Sequence, residues 1–537
     1  MKKIIALLLV LVLAVSCFVG CVKAPADDTK APVTPTGNNN TPDDTTAAPV
    51  VEDRFDGKHE IVEVTVVIRN DPQPDDLQVV AAMNKILAER YNLKLNLKAV
   101  PAAEYQDRIT LMMTSGETWD WCYTASWTNN YYDRAEMGAF YDLYELQDTE
   151  SWKELMEVYP EGWYNNAIID GQLFGIPNYQ IEYSPTSFYI RKDMAEKYDL
   201  PYENLDSVWD IFDEELYAWL LRVKEGEPDL YMFRPTGTWM GAVQIEDPNG
   251  GSAGYNFADY YYNDTTEYRV FFGQEENFEL IIEDRLGMLK LIEDGIIRED
   301  VYTMGDDSAD HKARKYVMWA GTGKPGGEVE TGASLGGEYI QLYTGSKDGN
   351  PPEYYRTATG GMTTVLGMNY ASKDPEAALE FLKVMWTDID LYNMFIFGIE
   401  GEHYNKVGEN RVELIADSGY NRSGYAWGFG NQFNAWLMPG QADDVWEQTI
   451  EMNSNAKPIN IPGFRNSTSA VAAEIGAVNT VNAEYSLQWI NCKNEEELRA
   501  WLTEFNQKLK EAGVMKIVEN LQAEMDKYLE ANGIEKG

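Results

Sequence analysis

Cys17 and Cys21 each follow a small residue at the end of an apolar run, a spacing at which a peptidase can cut before the thiol and the thiol can be acylated. Lys2 and Lys3 open the chain, Ile4 to Val15 is apolar, and two tetrapeptides close the run, Ala14-Val15-Ser16-Cys17 and Phe18-Val19-Gly20-Cys21. A charged start, a short apolar stretch and a small residue at the cut form an export signal, too short and wrongly flanked for a spanning helix. Residues 1–20 are therefore expected to be removed. Cys21 is expected to be lipidated, because Gly20 is the smaller residue at the cut, with Cys17 as the alternative. The mature chain would then sit extracytoplasmically, on the outer face of the cell membrane. An ordinary secretory signal with incidental cysteines is the competing reading.

The rest of the chain excludes much chemistry. Beyond the signal only Cys122 and Cys492 remain, which allows at most one disulfide without saying that they meet. His59, His311 and His403 are far apart in sequence, so no zinc-type cluster is present and no metal or cofactor is expected. No G-x-S-x-G, Walker or dinucleotide fingerprint occurs. Close carboxylate pairs such as Asp306-Asp307 or Glu214-Glu215 are unavoidable in so acidic a chain and say almost nothing about acid/base catalysis. Aromatic residues are the remaining resource, with 15 Trp and 34 Tyr. Their faces stack on the C–H faces of sugar rings while Asn, Gln and carboxylates bond the hydroxyls, and a cleft needs both kinds of group. Most aromatics in any chain are nonetheless core or surface residues.

These residues must be carried on a folded body. From Val22 to about Val51 the chain is Ala, Pro, Thr, Asp and Asn with Gly37-Asn38-Asn39-Asn40 at its middle, too polar to form a core, so residues 21–58 are expected to be a disordered tether. The remainder has the composition of a globular protein, with 44% hydrophobic, 12% aromatic and 25% charged residues overall. About 480 residues exceed what one core usually serves, so two lobes are expected. The net charge is −44, or −46 once Lys2 and Lys3 leave with the signal. Such a surface repels nucleic acid and anionic membrane at long range and favours a neutral or cationic ligand.

Ile61–Ile68 is β-branched and reads as a buried strand. Asp75-Asp76 can cap a helix carrying Leu77, Val80, Ile86 and Leu87, Leu93–Leu97 alternates as a second strand, and Glu104–Ser115 is a second helix ending at Gly116. Strand, helix, strand, helix implies an α/β lobe. Further on, Thr186–Arg191 and Lys315–Trp319 read as strands, and Trp209–Lys224 and Phe278–Asp294 as helices. Pro375 after Asp374 opens a helix to Trp386, and two helices close the chain, Glu495–Ala512 and Val514–Ala531.

Four segments, in order, resemble the family 1 extracellular solute-binding proteins of bacterial ABC importers. Met112–Asp120 is similar to the family's S-G-x-x-x-D step, Asp170–Pro177 to its G-x-x-[YF]-G-[IL]-P turn, Phe188–Met194 to the strand and [YN]-x-[KR]-D helix start that follow, with one extra residue before the Asp, and Ala371–Leu382 to its A-S-K-x-P-E-x-A-x-x-F-L helix. Gly398–Tyr404, Trp427–Phe433 and Pro462–Phe464 resemble the long C-terminal region of the LipO/LplA-like lipoprotein subset, generally assigned to saccharide uptake.

The resemblance implies an α/β, two-lobe, periplasmic-binding-protein-like fold with a ligand cleft, hinge crossings and an extended helical C-terminal region. Crossings are expected near Asn178–Tyr183, Trp319 and Thr387. Lobe 1 would then be 59–180 plus 319–387, lobe 2 would be 181–318 plus 388–500, and 501–537 would be helices that pack on either. It further implies ligand contacts from Trp127 and Asn129, from Asn178, Glu182 and Tyr183 at the first crossing, from Trp239 and Trp319, and from Trp427 and Asn431. The expected protein is a monomeric, non-enzymatic carrier that closes by hinge motion on an oligosaccharide and delivers it to ABC permease subunits. The alternatives are a glycan hydrolase or lyase, which needs two carboxylates across one cleft, a sensor that presents ligand to a receptor kinase, and a carrier of peptide or polyamine.

Overall fold

Val62–Arg69 (β1) buries five consecutive residues, Val64 to Ile68, as a strand covered on both faces must. It pairs in parallel with Leu93–Val100 (β2) along its whole length, from Val62 opposite Leu93 to Arg69 opposite Val100. Between them Asp76–Tyr91 (α1) buries Val79, Met83 and Leu87, one stripe at a four-residue spacing. Its expected cap is used otherwise. Asp75 makes no cap bond and meets His403 Nε2 at 3.3 Å, while Asp76 accepts from the Gln73 N–H at 2.8 Å and pairs with Arg422. Tyr105–Ser115 (α2) ends at Gly116 in the left-handed conformation (φ 73°), where glycine has no Cβ to clash.

The computed structural model describes residues 54–125, 128–182, 185–202, 211–234, 250–252, 258–261, 268–270, 275–301, 307–344, 361–456 and 469–535. Trp121–Ala125 (β3) runs parallel to β1, and Gly175–Pro177 (β4) completes the chain's first pass through this sheet. Thr186–Arg191 (β5), Tyr231–Arg234 (β6), Tyr316–Thr322 (β7) and Tyr339–Tyr343 (β8) form a second sheet, ordered β8-β5-β7-β6, in which only β7 and β6 are parallel. The chain then returns to the first sheet as Thr364–Met368 (β9), inserted antiparallel between β3 and β4, so that the order is β2-β1-β3-β9-β4.

Each sheet has its own hydrophobic core, and both cores lie within Asp53–Gly537, which forms one compact unit. Over the first sheet lies Pro375–Thr387 (α3), whose N-cap Asp374 accepts from the Ala377 N–H at 3.1 Å with Pro375 in the first turn. The next helix, Ile389–Phe397 (α4), and the loops to Met438 also pack into the first core. The second core takes Glu275–Glu293 (α5) and the three closing helices Ala472–Tyr485 (α6), Glu495–Glu511 (α7) and Val514–Asn532 (α8).

This packing moves two expected boundaries. Residues 319–343 were expected in lobe 1 but lie in the second sheet. Trp319 is not the end of its strand, since Ala320, Gly321 and Thr322 continue in register opposite Phe188, Ser187 and Thr186. Residues 388–438 were expected in lobe 2, yet Leu391, Tyr392, Phe395 and Phe429 belong to the first core, and α4 follows α3 with only Asp388 between them. The chain therefore passes between the cores at 178–185, between Thr344 and Gly361, and between Ala456 and Ser469. Cys122 and Cys492 are free thiols, the first in the first core and the second beside the other. Among the described residues no helix is long and apolar enough to cross a membrane.

Candidate functional site

The three connections are tied together by side-chain hydrogen bonds. Asn178 is buried, donating from Nδ2 to Thr364 Oγ1 at 2.8 Å and accepting at Oδ1 from the Gly430 N–H at 2.7 Å. Glu182, 4% exposed, accepts from the Gly361 N–H at 3.1 Å and from Thr363 Oγ1 at 3.0 Å, across to the second connection. Gly361 has φ +86°, and a Cβ there would collide with the Trp163 carbonyl oxygen, so the close approach requires glycine. Asn453, on the helix Val445–Asn455 that leads into the third connection, brackets the same peptide. Its Oδ1 accepts from the Glu182 N–H at 2.7 Å and its Nδ2 donates to the Gln180 carbonyl at 2.8 Å. Asn178 and Glu182 thus build the joint, and their polar atoms are engaged by protein.

An aromatic edge stands on the first lobe at the same end of the sheet. The register that sets Thr364 opposite Ala125 and Val365 opposite Pro177 puts the C-terminal ends of β3 and β4 beside the joint. Tyr123 there meets Tyr425 (ring centroids 6.4 Å) and Trp427 (6.1 Å), and the last two are 5.6 Å apart. Tyr123 and Tyr425 are buried, whereas Trp427 is half-buried, with its Nε1 held by the Gly424 carbonyl at 2.9 Å. Burial pushes both tyrosine hydroxyls upward in pKa. Asn431 continues this segment, bridging Tyr179 through its backbone and accepting at Oδ1 from the Phe433 N–H at 3.0 Å. Tyr179 in turn packs edge-on against Phe433 at 4.6 Å and Trp163 at 4.9 Å. A half-exposed indole ringed by phenols and amides is the combination that holds a sugar ring.

The other expected residues lie elsewhere. Asn129 is 1% exposed with φ +46°, and its amide is spent on the Tyr123 carbonyl at 2.9 Å and on Arg134 Nε at 3.0 Å. It fixes the turn after β3. Trp319 is stacked on Tyr189 (5.7 Å, 16°) and edged by Tyr339 and His311, with Leu335 packed against the cluster. Burial pulls the His311 pKa down to about 4, so the cluster stays neutral at ordinary pH. Trp127, Tyr183 and Trp239 lie outside the described residues. The structure thus brings Asn178, Glu182, Trp427 and Asn431 together around the joint and sets Trp319 within the second lobe. Reading the sequence missed Tyr123 and Tyr425. Tyr425 stands two residues before Trp427, and that spacing is the one local signal available.

Two cavities of about 310 Å³ and 450 Å³ open on the first lobe, one lined by Met112, Trp119, Met137 and Tyr370, the other by Phe433, Trp436 and Trp446. Neither shares a residue with the set predicted from sequence. Among the described residues no group of three or more His, Cys, Asp or Glu could hold a metal ion.

Two α/β lobes joined by three connections, with an aromatic edge at the joint, define the solute-binding-protein fold. The structure is similar to that of the N-glycan transport solute binding protein NgtS of Streptococcus pneumoniae in complex with Man1GlcNAc, with a TM-score of 0.69 and 20% identity over 87% of this chain and 99% of that one. The NgtS complex with Man5GlcNAc gives a TM-score of 0.68 and 21% identity over 88% and 100%. In sequence the chain is similar to a carbohydrate ABC transporter substrate-binding protein of S. pneumoniae serotype 4 (strain ATCC BAA-334 / TIGR4), 24% identical over 466 residues, or 85% of this chain and 89% of the relative. Residues 460–530 match a domain of unknown function, DUF3502, which covers α6, α7 and much of α8. The likeness to ABC-transporter solute-binding proteins, expected from four short segments, extends over most of the chain.

Proposed function

We propose that this protein is an extracytoplasmic carrier, lipid-anchored through Cys21, that captures an oligosaccharide between its lobes and delivers it to an ABC importer. The observation that carries the reading is the half-buried Trp427 set on Tyr123 and Tyr425 at the edge beside the joint. An apolar face flanked by a few polar groups, on a lobe that moves against another, can bury a sugar ring on closure and release it on opening. The relative in S. pneumoniae is a carbohydrate ABC transporter substrate-binding protein, and the NgtS complexes hold saccharides. Both are named for substrate or solute binding in transport, which supports a non-enzymatic role here. The acidic surface slows the approach of anions at long range, an effect that salt screens, and does not disfavour a neutral glycan.

A thermal-shift screen of residues 53–537 against oligosaccharides, with peptides and spermidine as controls, tests the proposal. A ligand bound only by the folded state stabilises it by about 2.7 kcal/mol at a hundredfold excess over Kd. A shift with a glycan that is recovered intact is the expected result. Recovery of cleaved glycan would mean a hydrolase or lyase, and a shift with peptide or spermidine alone would overturn the ligand class.

A further inference from the structure

Acidic residues outnumber basic ones 88 to 44 in this chain, so a guanidinium has carboxylates to pair with almost anywhere. Arg54, Arg90, Arg108, Arg191, Arg234, and most of the others do so. Among the described arginine side chains Arg69 alone makes neither an ion pair nor a hydrogen bond, and its Nε is buried without an acceptor. It is the last residue of β1. Since Val66 and Val67 lie opposite Trp121 and Cys122, Arg69 is level with Thr124, at the sheet end where the joint begins. The Tyr123 and Tyr425 hydroxyls are buried nearby and likewise donate to nothing. Arg69 is close enough to both phenols to offset part of the burial that pushes them up.

A buried donor without an acceptor is costly; Arg285 and Arg422 also leave Nε without one, but each pairs with a carboxylate through another nitrogen, which Arg69 does not. Here the two phenol rings stand 6.1 and 5.6 Å from the half-buried Trp427 ring, centroid to centroid, and the Arg69 charge acts on both phenols. Arginine and tyrosine hydroxyls that find no protein acceptor are best matched by a group that only accepts, and the charged donor makes the strongest of these bonds. We propose that Arg69, with Tyr123 and Tyr425, forms a subsite for an acceptor-only sp² oxygen of the ligand. Either the carboxylate of an acidic sugar or the acetamido carbonyl of an N-acetylated sugar supplies that oxygen, while the ring lies on Trp427. The assignment rests on the saccharide reading above and narrows it to sugars bearing such a group. Arg69 is half-buried and so is the donor within reach of an incoming ligand, and the two phenols lie deeper.

The test is calorimetric titration of residues 53–537 with two matched pairs. One is chitotriose against cellotriose, which differ in the acetamido group. The other is trigalacturonate against its carboxyl-reduced galactose trimer. The expected result is a preference of about tenfold or more for the acceptor-bearing member of one pair, the scale of one hydrogen bond to a charged group. Which pair responds identifies the oxygen. Arg69→Gln should erase that preference and Tyr425→Phe should reduce it. Because no protein carboxylate relies on Arg69, the unliganded Arg69→Gln protein should melt no lower than wild type, unlike a variant of a structural arginine. Saccharide binding without preference in either pair, or an Arg69→Gln loss that falls equally on both members, overturns the assignment while leaving the carrier reading intact. Absence of binding by any saccharide, in this set and in the wider screen, overturns the carrier reading and this assignment with it.

Discussion

The Asn453 amide grips the peptide of Glu182 and that of Gln180 two residues before it, accepting the Glu182 N–H at 2.7 Å and donating to the Gln180 carbonyl at 2.8 Å. One side chain on the way to the third connection thus fixes the backbone of the first. The Glu182 carboxylate reaches the second connection through Gly361 and Thr363. A joint cross-tied by side-chain bonds can turn about its backbone only as far as those bonds permit.

Asn453→Ala should therefore loosen the joint without touching a ligand. Two hydrogen bonds to part-buried backbone groups are lost, at a cost of about 1–3 kcal/mol in stability. Equilibrium denaturation would read the loss. Hydrogen exchange at residues 179–182 should rise while exchange at the centre of β1 stays as in wild type. Equal acceleration at both places would mean that Asn453 supports the whole fold rather than the joint.

Trp427 and Trp319 were both expected to touch ligand, and the structure gives them different surroundings. Trp319 is enclosed by Tyr189, Tyr339 and His311, so Trp319→Ala should cost about 3–5 kcal/mol of stability, as large core truncations do. Trp427 is half-buried on a lobe edge, so Trp427→Ala should leave the melting temperature nearly unchanged and weaken saccharide binding by about 1.5–3 kcal/mol. Melting curves and titrations of the two variants, run side by side, decide this. Full saccharide affinity in Trp427→Ala would remove the aromatic edge from the site.

That contrast shows where the sequence was legible. The strand at Val62 and the helix at Pro375 announce themselves locally, through a β-branched run and through an Asp-Pro start. The same holds for the amphipathic α7, whose Leu498, Trp501, Leu502, Phe505 and Leu509 are buried in one stripe. The crossing points were not legible. Nothing local distinguishes a strand that leaves its sheet after Trp319 from one that runs on to Thr322, because its partners Phe188 to Thr186 are over a hundred residues away. Nor does residue type reveal whether a tryptophan is enclosed or at an edge. Arg69 was invisible for the same reason, since having no partner is a property of the folded surroundings.

Asp284, on α5, supplies a pH dependence. Its carboxyl is buried in the second lobe, and burial pushes its pKa up to about 6 although the adjacent Arg285 pulls the other way. Arg285 itself lies over the Trp489 ring at 5.0 Å. A folded pKa above the unfolded value means that the fold prefers the protonated acid. The contribution is full below about pH 4 and is lost as pH rises through about 6. The shift of roughly two units corresponds to about 3 kcal/mol at most. Asp284→Asn should thus raise the melting temperature at pH 8 and leave it nearly unchanged at pH 4. A variant that melts lower than wild type at pH 8 would mean that the ionised carboxylate supports the fold through Arg285.

The tether is the remaining expectation, and it can be tested apart from ligand. Cutting before Cys21 puts the Cys21 thiol side chain on the first residue of the mature chain, whereas cutting before Cys17 leaves Cys17 to Gly20 ahead of it. One acyl chain binds a bilayer only marginally and reversibly, so lasting attachment needs more than one chain or a further signal, and a chain with 88 acidic against 44 basic residues has no net attraction to an anionic bilayer. In cells fed an alkyne palmitate analogue, wild type should be labelled and sediment with membranes. Cys21→Ser should lose the label and appear in the soluble fraction with unchanged saccharide affinity, and Cys17→Ser should behave as wild type. If Cys17→Ser alone loses the label, the cut lies four residues earlier. If neither single variant nor the pair changes the distribution, the chain is held at the surface by contacts of its folded body rather than by lipid.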